Sequence, residues 1–478
     1  MNQEILPIYN AINKFKQKSP ISFHVPGHKN GFLIDEKFKN IKPFLENDIT
    51  ELTGLDDLHS PEGAIKEAME LLTDYYGTVK SYFLVNGSTV GNLAMILSVC
   101  REGDYVMVQR NCHKSILNAL KLAKVQPLFI YPEIDDVLGM AGGIDPQLLK
   151  NTFEKYKEIK AIIATYPNYY GKTYDLKEII DLAHHYEIPV LVDEAHGAHF
   201  RLGDPFPPSA VELGADMVVH SAHKTLPAMT MGSYLHVNSG RISIPKVEEY
   251  LGILQSSSPS YPIMLSLDFS RYFLANFSGE DIEYTLQTIQ RFVDGVKRLS
   301  PLKIKQDKKG DPLKVSIYME GVSGFELQRM LEEQGVYGEL ADPYQVLYIL
   351  PLLKKGTAYP YADALLRIQA AVEKNMPVTK GITVKNEIDS SFIRSIKPMA
   401  LTYKEMESTP KETIPLLHSI DRIAAETVIP YPPGIPILMP GEEITNKHIQ
   451  EICRLLEVNA NFQGDSQQLK KGAIQVFC

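Results

Sequence analysis

Residues 188–197 read Ile-Pro-Val-Leu-Val-Asp-Glu-Ala-His-Gly, and Ser-Ala-His-Lys-Thr follows at residues 221–225. The apolar run to Val192 predicts a buried parallel strand, so Asp193 is expected at its carboxyl end, where open α/β sheets bind ligands. Residues 215–219 predict the next strand, which delivers Lys224 to the same edge. A lysine that can form an imine and an aspartate that can hold a pyridinium are what pyridoxal 5'-phosphate (PLP) requires of a protein. Together they predict a PLP site, although each residue alone also fits a solvated lysine or a helix cap.

Apolar runs alternate with helical patterns on both sides of this pair, from about residue 61 to residue 237. That alternation predicts an α/β fold in which helices cover a mostly parallel sheet. The runs expected to form its strands are 82–85, 105–108, 127–131, 161–165, 189–192 and 217–219.

The hydrophobic pattern of the sequence also predicts how the chain is divided into domains. Residues 1–60 are rich in loops and lack a core pattern, so we interpret them as an amino-terminal arm that packs on the large domain or on a partner subunit. The PLP-binding large domain is expected over residues 61–275 and a linker region over residues 276–311, with a long helix at residues 281–297.

A smaller carboxyl-terminal α/β domain is expected over residues 312–478. Its predicted strands are residues 314–319 and 346–350, with a helix at 324–334 between them. Residues 428–440 contain five prolines and predict a rigid loop, since proline disfavours helices and interior strands.

Composition limits the function classes. The chain has 478 residues, 44% of them hydrophobic, and a net charge of -9, so it offers no basic surface for nucleic acid or an anionic membrane. The uncharged stretch from Ser81 to Cys100 is interrupted by polar residues and predicts a strand, a turn and a buried helix instead of a membrane span. Four cysteines without a CxxC spacing suit a reducing cytoplasm. Small-molecule chemistry is the better expectation.

Two further segments carry candidate site residues. Ser88 and Thr89 lie between a predicted strand and a predicted helix, where backbone amides and hydroxyls can hold a phosphate, although either residue also suits a simple helix cap. His113 follows another strand and could stack on a flat cofactor or act as a structural donor. His196 is placed to bond Asp193 or the pyridine side of a ligand. The histidines near Glu194 lack the spacing of a zinc helix, so no metal site is predicted.

These residues occur within longer motifs that run through almost the whole chain in a fixed order. The motifs closely resemble those of the Orn/Lys/Arg decarboxylase family of fold-type I, aminotransferase-like PLP enzymes, in its short form without an amino-terminal wing. They are His24-Val-Pro-Gly-His-Lys29, Thr53-Gly-Leu-Asp-Asp-Leu-His59, Asn86-Gly-Ser-Thr89, Asp193-Glu-Ala-His-Gly197, Ser221-Ala-His-Lys-Thr-Leu-Pro227 and Tyr431-Pro-Pro-Gly-Ile-Pro-Ile-Leu-Met-Pro-Gly-Glu442.

The resemblance implies a role for each site residue. Lys224 would form the imine with PLP, Asp193 would pair with the ring nitrogen, and His113 would stack on the ring. The residues implied to hold the phosphate are Ser88, Thr89, Ser221 and His223, with Ser256 and Ser257 corresponding to a segment that reaches the site from a neighbouring subunit. A homodimer with a shared active site is therefore expected.

Two departures from the family pattern bear on these roles. Asp421 stands where relatives usually have glycine, which puts the local turn in doubt. Residues 300–410 match weakly, and the substrate pocket ends in that part of the chain. The large inducible members carry the wing, so their decameric assembly should not be assumed for this chain.

The resemblance implies decarboxylation of arginine, lysine or ornithine to a polyamine-type amine and carbon dioxide in the cytoplasm. The alternatives are another fold-type I reaction, such as aminotransfer or aldol cleavage, and a non-catalytic regulator with the same fold. Glu442 is the predicted partner of the substrate's distal cation, because a proline-rich loop would hold its carboxylate at little entropic cost. An acidic residue at the start of a helix is the ordinary alternative.

Overall fold

The computed structural model describes residues 1–135, 140–374, 396–430, 436–457, 462 and 467–478. The α-helices are α1 Pro7–Gln17, α2 Lys42–Leu45, α3 Ala64–Tyr76, α4 Gly87–Val99, α5 Lys114–Ala123, α6 Pro146–Lys155, α7 Leu176–His185, α8 Ala222–Thr225, α9 Ile244–Leu254, α10 Tyr261–Ala275, α11 Gly279–Lys297, α12 Gly324–Glu332, α13 Tyr361–Lys374, α14 Tyr403–Ser408, α15 Asn446–Glu457 and α16 Gln467–Lys470. The strands are β1 Lys80–Leu84, β2 Tyr105–Gln109, β3 Gln126–Ile130, β4 Ile134–Asp135, β5 Met140–Ala141, β6 Ile159–Thr165, β7 Val190–Asp193, β8 Met217–His220, β9 Ser233–Val237, β10 Leu302–Lys305, β11 Lys314–Met319, β12 Leu340–Ala341, β13 Val346–Ile349, β14 Lys411–Pro415, β15 Ile423–Ala424 and β16 Ala473–Phe477. Short 3-10 helices lie at Glu36–Ile41, Phe200–Leu202 and Leu416–His418.

Seven strands form a mostly parallel sheet in the order β1-β9-β8-β7-β6-β2-β3. The pairs β7 with β8, β2 with β6 and β2 with β3 are parallel, whereas β9 pairs antiparallel with both β8 and β1. Every residue of β7 and β8 is buried, as expected for strands covered on both faces. The predicted α/β fold with a mostly parallel sheet is confirmed.

The chain forms two compact units, each made of two separate segments. The first comprises Met1–Val99 and Pro189–Ser278, and the second comprises Cys100–Ile188 and Gly279–Cys478. The contiguous domain boundaries expected from the sequence stay a prediction.

The amino-terminal segment of the first unit differs from expectation. Helix α1 begins at a proline and buries Ile8 and Ile12 completely, so residues 1–60 do contribute a core face. The backbone amide of Ile8 donates to the buried Asp268 carboxylate on α10, and Arg271 donates to the carbonyl of Gln3. The prediction that this segment lacks a core pattern was therefore wrong for α1, whose i, i+4 apolar spacing and early proline are ordinary helix signals.

The second unit contains the smaller carboxyl-terminal α/β region predicted from the sequence. An antiparallel sheet has the order β10-β11-β13-β12, and a second antiparallel sheet has the order β14-β16-β15. The predicted strand at residues 314–319 matches β11, and the predicted helices at 281–297 and 324–334 correspond to α11 and α12. Leu438, Ile452 and Val476 belong to the buried apolar cluster beside the three-stranded sheet.

The turn at Asp421 keeps the geometry that a glycine would provide. Asp421 has a φ of 64°, in the left-handed region that glycine favours and that aspartate tolerates better than most residues. Its backbone amide donates to the carbonyl of Ile444. The departure from the family pattern therefore changes the residue and not the turn.

Part of the predicted proline-rich loop lies outside the described residues, at 431–435. On either side of this gap, Val428 and Leu438 form an isolated antiparallel bridge, so the two ends of the loop meet. Among the helices of the described part of the chain, none is long and apolar enough to cross a membrane.

Candidate active site

The two predicted strand ends meet in the first unit. Asp193 is the last residue of β7 and is the register partner of Val219 on β8. Beyond the strands, the amide of Glu194 donates to the carbonyl of Val219, and the amide of Ser221 donates to the carbonyl of Ala195. These bonds extend the pairing past the sheet edge, so the segments that carry Asp193 and Lys224 are fixed side by side.

The Asp193 carboxylate is buried and oriented from two sides. The side-chain amide of Asn92 donates to Oδ2 at 2.8 Å, and the backbone amide of Ala195 donates to Oδ1 at 3.1 Å. A carboxylate that accepts from fixed donors is held in one orientation. Asp193 can therefore present a directed negative charge to a ligand cation.

Lys224 lies in the short helix α8, which directly follows β8. Its amine is 3.0 Å from Nε2 of His196, and the imidazole is almost fully buried. A neutral imidazole nitrogen can accept a hydrogen bond from the amine and so orient it. The structure thus brings Lys224 and His196, both predicted site residues, into direct contact.

Hydroxyl groups gather at the amino terminus of α4. The hydroxyl of Ser221 donates to the hydroxyl of Ser88 at 2.7 Å, and Thr89 is exposed beside it. Gly87 begins the helix with a φ of 80° and donates its amide to the carbonyl of Met231. A helix amino terminus with free amides and two hydroxyls has the chemistry of an anion site.

Ser256 and Ser257 belong to the segment expected to reach the site from a neighbouring subunit. In the single chain, Ser256 already lies near the amino terminus of α4. The backbone amide of Ser256 donates to the Asn86 side chain at 3.3 Å, and its carbonyl lies 2.9 Å from Nε2 of His59. Both Ser256 and Ser257 are exposed. Their hydroxyls are therefore accessible from solvent, and their predicted phosphate contact stays a prediction.

His223 has a defined bond on one side of its ring. Nδ1 is 3.0 Å from the carbonyl of Gly232, so this nitrogen carries the proton and donates. In that tautomer Nε2 can donate to a phosphate only if the ring is protonated as well. The predicted phosphate role of His223 therefore requires the imidazolium form.

Glu194 is a buried residue whose contacts the sequence did not indicate. Its carboxylate accepts from the Ser209 hydroxyl at 2.7 Å and the Ala210 amide at 2.8 Å, and it lies 2.6 Å from His220 Nε2. The side chain also fills the space next to Gly197, where a Cβ would come within 2.6 Å of it. These contacts hold the turn that joins Asp193 to His196.

A chain of buried imidazoles continues from Glu194. His220 Nδ1 is 3.1 Å from His236 Nε2, and His236 Nδ1 is 2.8 Å from the Ser81 hydroxyl. Burial, and secondarily the neighbouring His220, lowers the pKa of His236 well below its ordinary value, so His236 is neutral. A neutral His236 can accept from Ser81 at Nδ1 and donate from Nε2 to His220, which continues the chain toward the Glu194 carboxylate. No local sequence pattern could reveal this chain, because its members come from four separated segments.

His113 belongs to the second unit, where it caps a helix. Its Nδ1 accepts from the amide of Ser115 at the start of α5 and lies 2.8 Å from the Ser115 hydroxyl. The side chain is otherwise exposed. The structure therefore gives His113 the ordinary capping role, and its predicted stacking on the cofactor stays a prediction.

Glu442, also in the second unit, forms an ion pair with Arg110. The guanidinium donates to both carboxylate oxygens, at 2.5 Å and 2.7 Å, and to the carbonyls of Pro436 and Ile437. The backbone amide of Met439 donates to the same carboxylate. Arg110 is completely buried, and Glu442 together with nearby Tyr131 raises its pKa despite the opposing effect of burial. Sequence reasoning missed Arg110, which precedes His113 by three residues.

Comparisons with known proteins agree with this architecture. Two family models match the chain: "Orn/Lys/Arg decarboxylase, major domain" at residues 6–309 and "Orn/Lys/Arg decarboxylase, C-terminal domain" at residues 384–468. The chain is 45% identical to the uncharacterized protein YaaO of Bacillus subtilis, over 98% of both chains. It is 34% identical to an arginine decarboxylase of Bacillus anthracis, over 97% of this chain and 96% of the relative. The solved constitutive lysine decarboxylase of Escherichia coli superposes with a TM-score of 0.81 at 20% identity, covering 99% of this chain and 82% of that one, which shows a shared fold.

Proposed function

Because the chain belongs to the Orn/Lys/Arg decarboxylase family, we propose that it is a PLP-dependent decarboxylase of a basic amino acid. The observation that carries the proposal is the arrangement at the ends of β7 and β8. A lysine amine, an oriented aspartate and a hydroxyl-lined helix terminus lie on adjoining segments of one unit.

The residues present fit PLP. The cofactor needs an amine for its aldehyde, an anion for its ring nitrogen and donors for its phosphate. Lys224 offers the amine, and Asp193 offers a carboxylate that two donors hold in one orientation. Ser88 and Ser221 offer hydroxyls at the start of α4. We propose that His113 contributes a stacking surface for the ring.

When bound, PLP supplies an electron sink for the pair released as carbon dioxide leaves the α-carbon. Asp193 would pair with the ring nitrogen and favour its protonated form. Lys224 would hold the cofactor through its amine. His196, whose Nε2 lies 3.0 Å from the Lys224 amine, would accept a hydrogen bond from that amine and so orient it. Each turnover also consumes one proton at the α-carbon, and the Lys224–His196 pair can supply it.

The substrate is proposed to be arginine, lysine or ornithine. Arginine is the first choice, since the Bacillus anthracis relative is named an arginine decarboxylase. The products are an amine and carbon dioxide, which fits polyamine biosynthesis in the cytoplasm. Decarboxylation removes the α-carboxylate and leaves the distal cation unchanged, so the product carries more positive charge than the substrate.

Glu442 stays our prediction for the partner of the distal cation, and its ion pair sharpens that prediction. A carboxylate has about four lone-pair sites. Arg110 and the Met439 amide use three of them, so a substrate cation can add one hydrogen bond. Glu442→Gln should raise the Michaelis constant for the basic substrate. It should also reduce stability by about 3 kcal/mol, because a buried guanidinium loses its partner.

We propose a homodimer with a shared active site as the functional form. The segment between α1 and α3 exposes several large apolar side chains, including Phe23 at 94% and Phe32 at 84%. Several exposed large apolar side chains on one segment are typical of a protein interface. The exposed Ser256 and Ser257 are the residues proposed to reach the partner's phosphate site.

A product assay tests the proposed function. The protein is loaded with PLP and incubated separately with arginine, lysine and ornithine, and with leucine and glutamate as controls, and carbon dioxide and amine are measured. The proposal predicts equal amounts of carbon dioxide and amine from one or more of the basic substrates only, and neither product from Lys224→Ala. A keto acid instead of an amine would indicate an aminotransferase. No turnover of any amino acid would contradict an enzymatic role.

A further inference from the structure

Asn92 lies inside an apolar helix and yet carries a polar side chain. It is 1% exposed, and its neighbours Val90, Ala94 and Met95 on α4 are buried apolar residues. An amide in such surroundings costs free energy unless it is hydrogen-bonded. Its observed partner is the carboxylate of Asp193, at 2.8 Å. A carboxylate only accepts, so the amide nitrogen must be the atom that faces it.

The contact depends on an unusually close approach of α4 to the sheet at the preceding residue. A Cβ placed on Gly91 would lie 2.7 Å from Cδ1 of Leu84 on β1 and 3.1 Å from both γ-carbons of Val219 on β8. Val219 is the register partner of Asp193. Gly91 therefore lets the helix lie directly against β1 and β8, and Asn92 is the next residue along the helix.

The same helix begins with the hydroxyls and amides of the candidate phosphate site. Gly87 and Ser88 form its first turn, and Asn92 lies in the second. A helix is a stiff body over this length, with a rise of about 1.5 Å per residue. Helix α4 thus fixes the position of the candidate phosphate donors relative to Asn92, which donates to the Asp193 carboxylate.

We propose that Asn92 is a positioning residue that orients Asp193 toward the ring nitrogen of the cofactor, with Gly91 permitting the approach. The proposal rests on the proposed function, because it assigns Asp193 to the pyridine nitrogen. In this proposal Asn92 acts through Asp193. It donates to Oδ2 and the Ala195 amide donates to Oδ1, which leaves further lone pairs of the carboxylate for the ring nitrogen.

The test compares two ligands that differ only at the ring nitrogen. Apo-protein is titrated with PLP and with the analogue that has carbon in place of this nitrogen, and the dissociation constants are compared. The variants are Asn92→Leu, which keeps the branching and bulk of the side chain, and Asn92→Ala. Ser98→Ala is the matched control, since Ser98 is a buried residue of the same helix whose hydroxyl donates to the Met95 carbonyl.

The wild-type protein should prefer PLP over the carbon analogue. Loss of the charge-assisted bond in either Asn92 variant should weaken PLP binding about tenfold or more, with about twofold or less effect on the analogue. Ser98→Ala should leave the ratio unchanged. Thermal unfolding of each apo-protein reports folding separately from binding.

Equal weakening of both ligands, or loss of both, would overturn the proposal, since it would make Asn92 a structural residue only. Unchanged PLP affinity in both variants would overturn it as well. If the wild-type protein bound neither ligand, the proposed function would fail, and that result is distinct from either outcome for Asn92.

Discussion

At the residue scale, the carboxylate of Asp193 is the group on which the proposed chemistry depends most. Asp193 is buried and is the last residue of β7, and fixed donors hold both oxygens of its carboxylate. An uncharged side chain of the same shape would preserve the packing and remove the charge. The effect of the charge can therefore be separated from the effect of the fold.

We expect Asp193→Asn to fold and to lose turnover by several powers of ten, each power being about 1.4 kcal/mol of activation free energy. The physical reason is that a neutral amide cannot keep the ring nitrogen protonated. Steady-state kinetics of the PLP-loaded variant measures the loss. Asp145→Asn is the control, since Asp145 only caps α6 and its variant should keep normal turnover. Near-normal activity of Asp193→Asn would mean that another residue faces the nitrogen.

The sequence identified Lys224 and Asp193 because both follow apolar runs whose ends must reach the same sheet edge. The contact of Asp193 with Asn92 and that of Lys224 with His196 could not be derived from the sequence pattern alone. Asn92 sits in a helix whose rotation and distance from the sheet depend on Gly91, and these are tertiary properties. Arg110 was missed for the same reason, since its partners lie more than 320 residues away in the chain.

At the element scale, helix α15 begins with a cap that titrates. The amide of Thr445 donates to Nδ1 of His448, and the His448 amide donates weakly back to the Thr445 hydroxyl. Burial is the main cause that lowers the pKa of His448 to about 4, while nearby Glu442 opposes the shift and Arg110 adds to it. The imidazole is therefore neutral in the folded protein at neutral pH.

This cap should make stability depend on acidity. The unfolded chain has an ordinary histidine pKa of about 6.5, so it binds a proton first as the pH falls. The stabilising contribution is complete above about pH 6.5 and is lost as the pH falls toward 4, at a cost of about 2 kcal/mol by pH 5.

His448→Gln keeps an acceptor at the same helix position and removes the titration. Urea unfolding at pH 5 and pH 8 should show a smaller difference for His448→Gln than for the wild type. His418→Gln, at an exposed position, is the matched control and should behave like the wild type. An unchanged pH difference in His448→Gln would contradict this explanation.

The elements themselves were largely predictable. Strands β7, β8 and β11 agree with the sequence to within two residues, because long apolar runs and turn residues bound them. The antiparallel β9 was not predicted, since strand direction depends on its pairing with β1 and β8. Helix α1 was missed although its pattern was present, because the surrounding residues are loop-rich.

At the scale of the whole molecule, the main open property is assembly. Residues 21–44 expose several large apolar side chains, which is typical of an interface with another protein chain. The two compact units each combine distant segments of the chain, an arrangement that sequence pattern along the chain cannot reveal.

We expect sedimentation of the PLP-loaded protein to show a dimer or a larger species. Phe23→Ser combined with Phe32→Ser should shift the equilibrium toward monomer and reduce activity, because these side chains lose their apolar cover. Leu122→Ser is the matched control, since Leu122 is 60% exposed on helix α5. A wild-type monomer with full activity would exclude a shared active site.

The most direct test of the central claim is to locate the covalent link between the chain and PLP. The protein is incubated with PLP, reduced with borohydride, digested and analysed by mass spectrometry. Our account predicts one stoichiometric pyridoxyl group, on the peptide that contains Lys224, and none in Lys224→Ala. A stoichiometric adduct on a different lysine, or no adduct at all, would contradict the account.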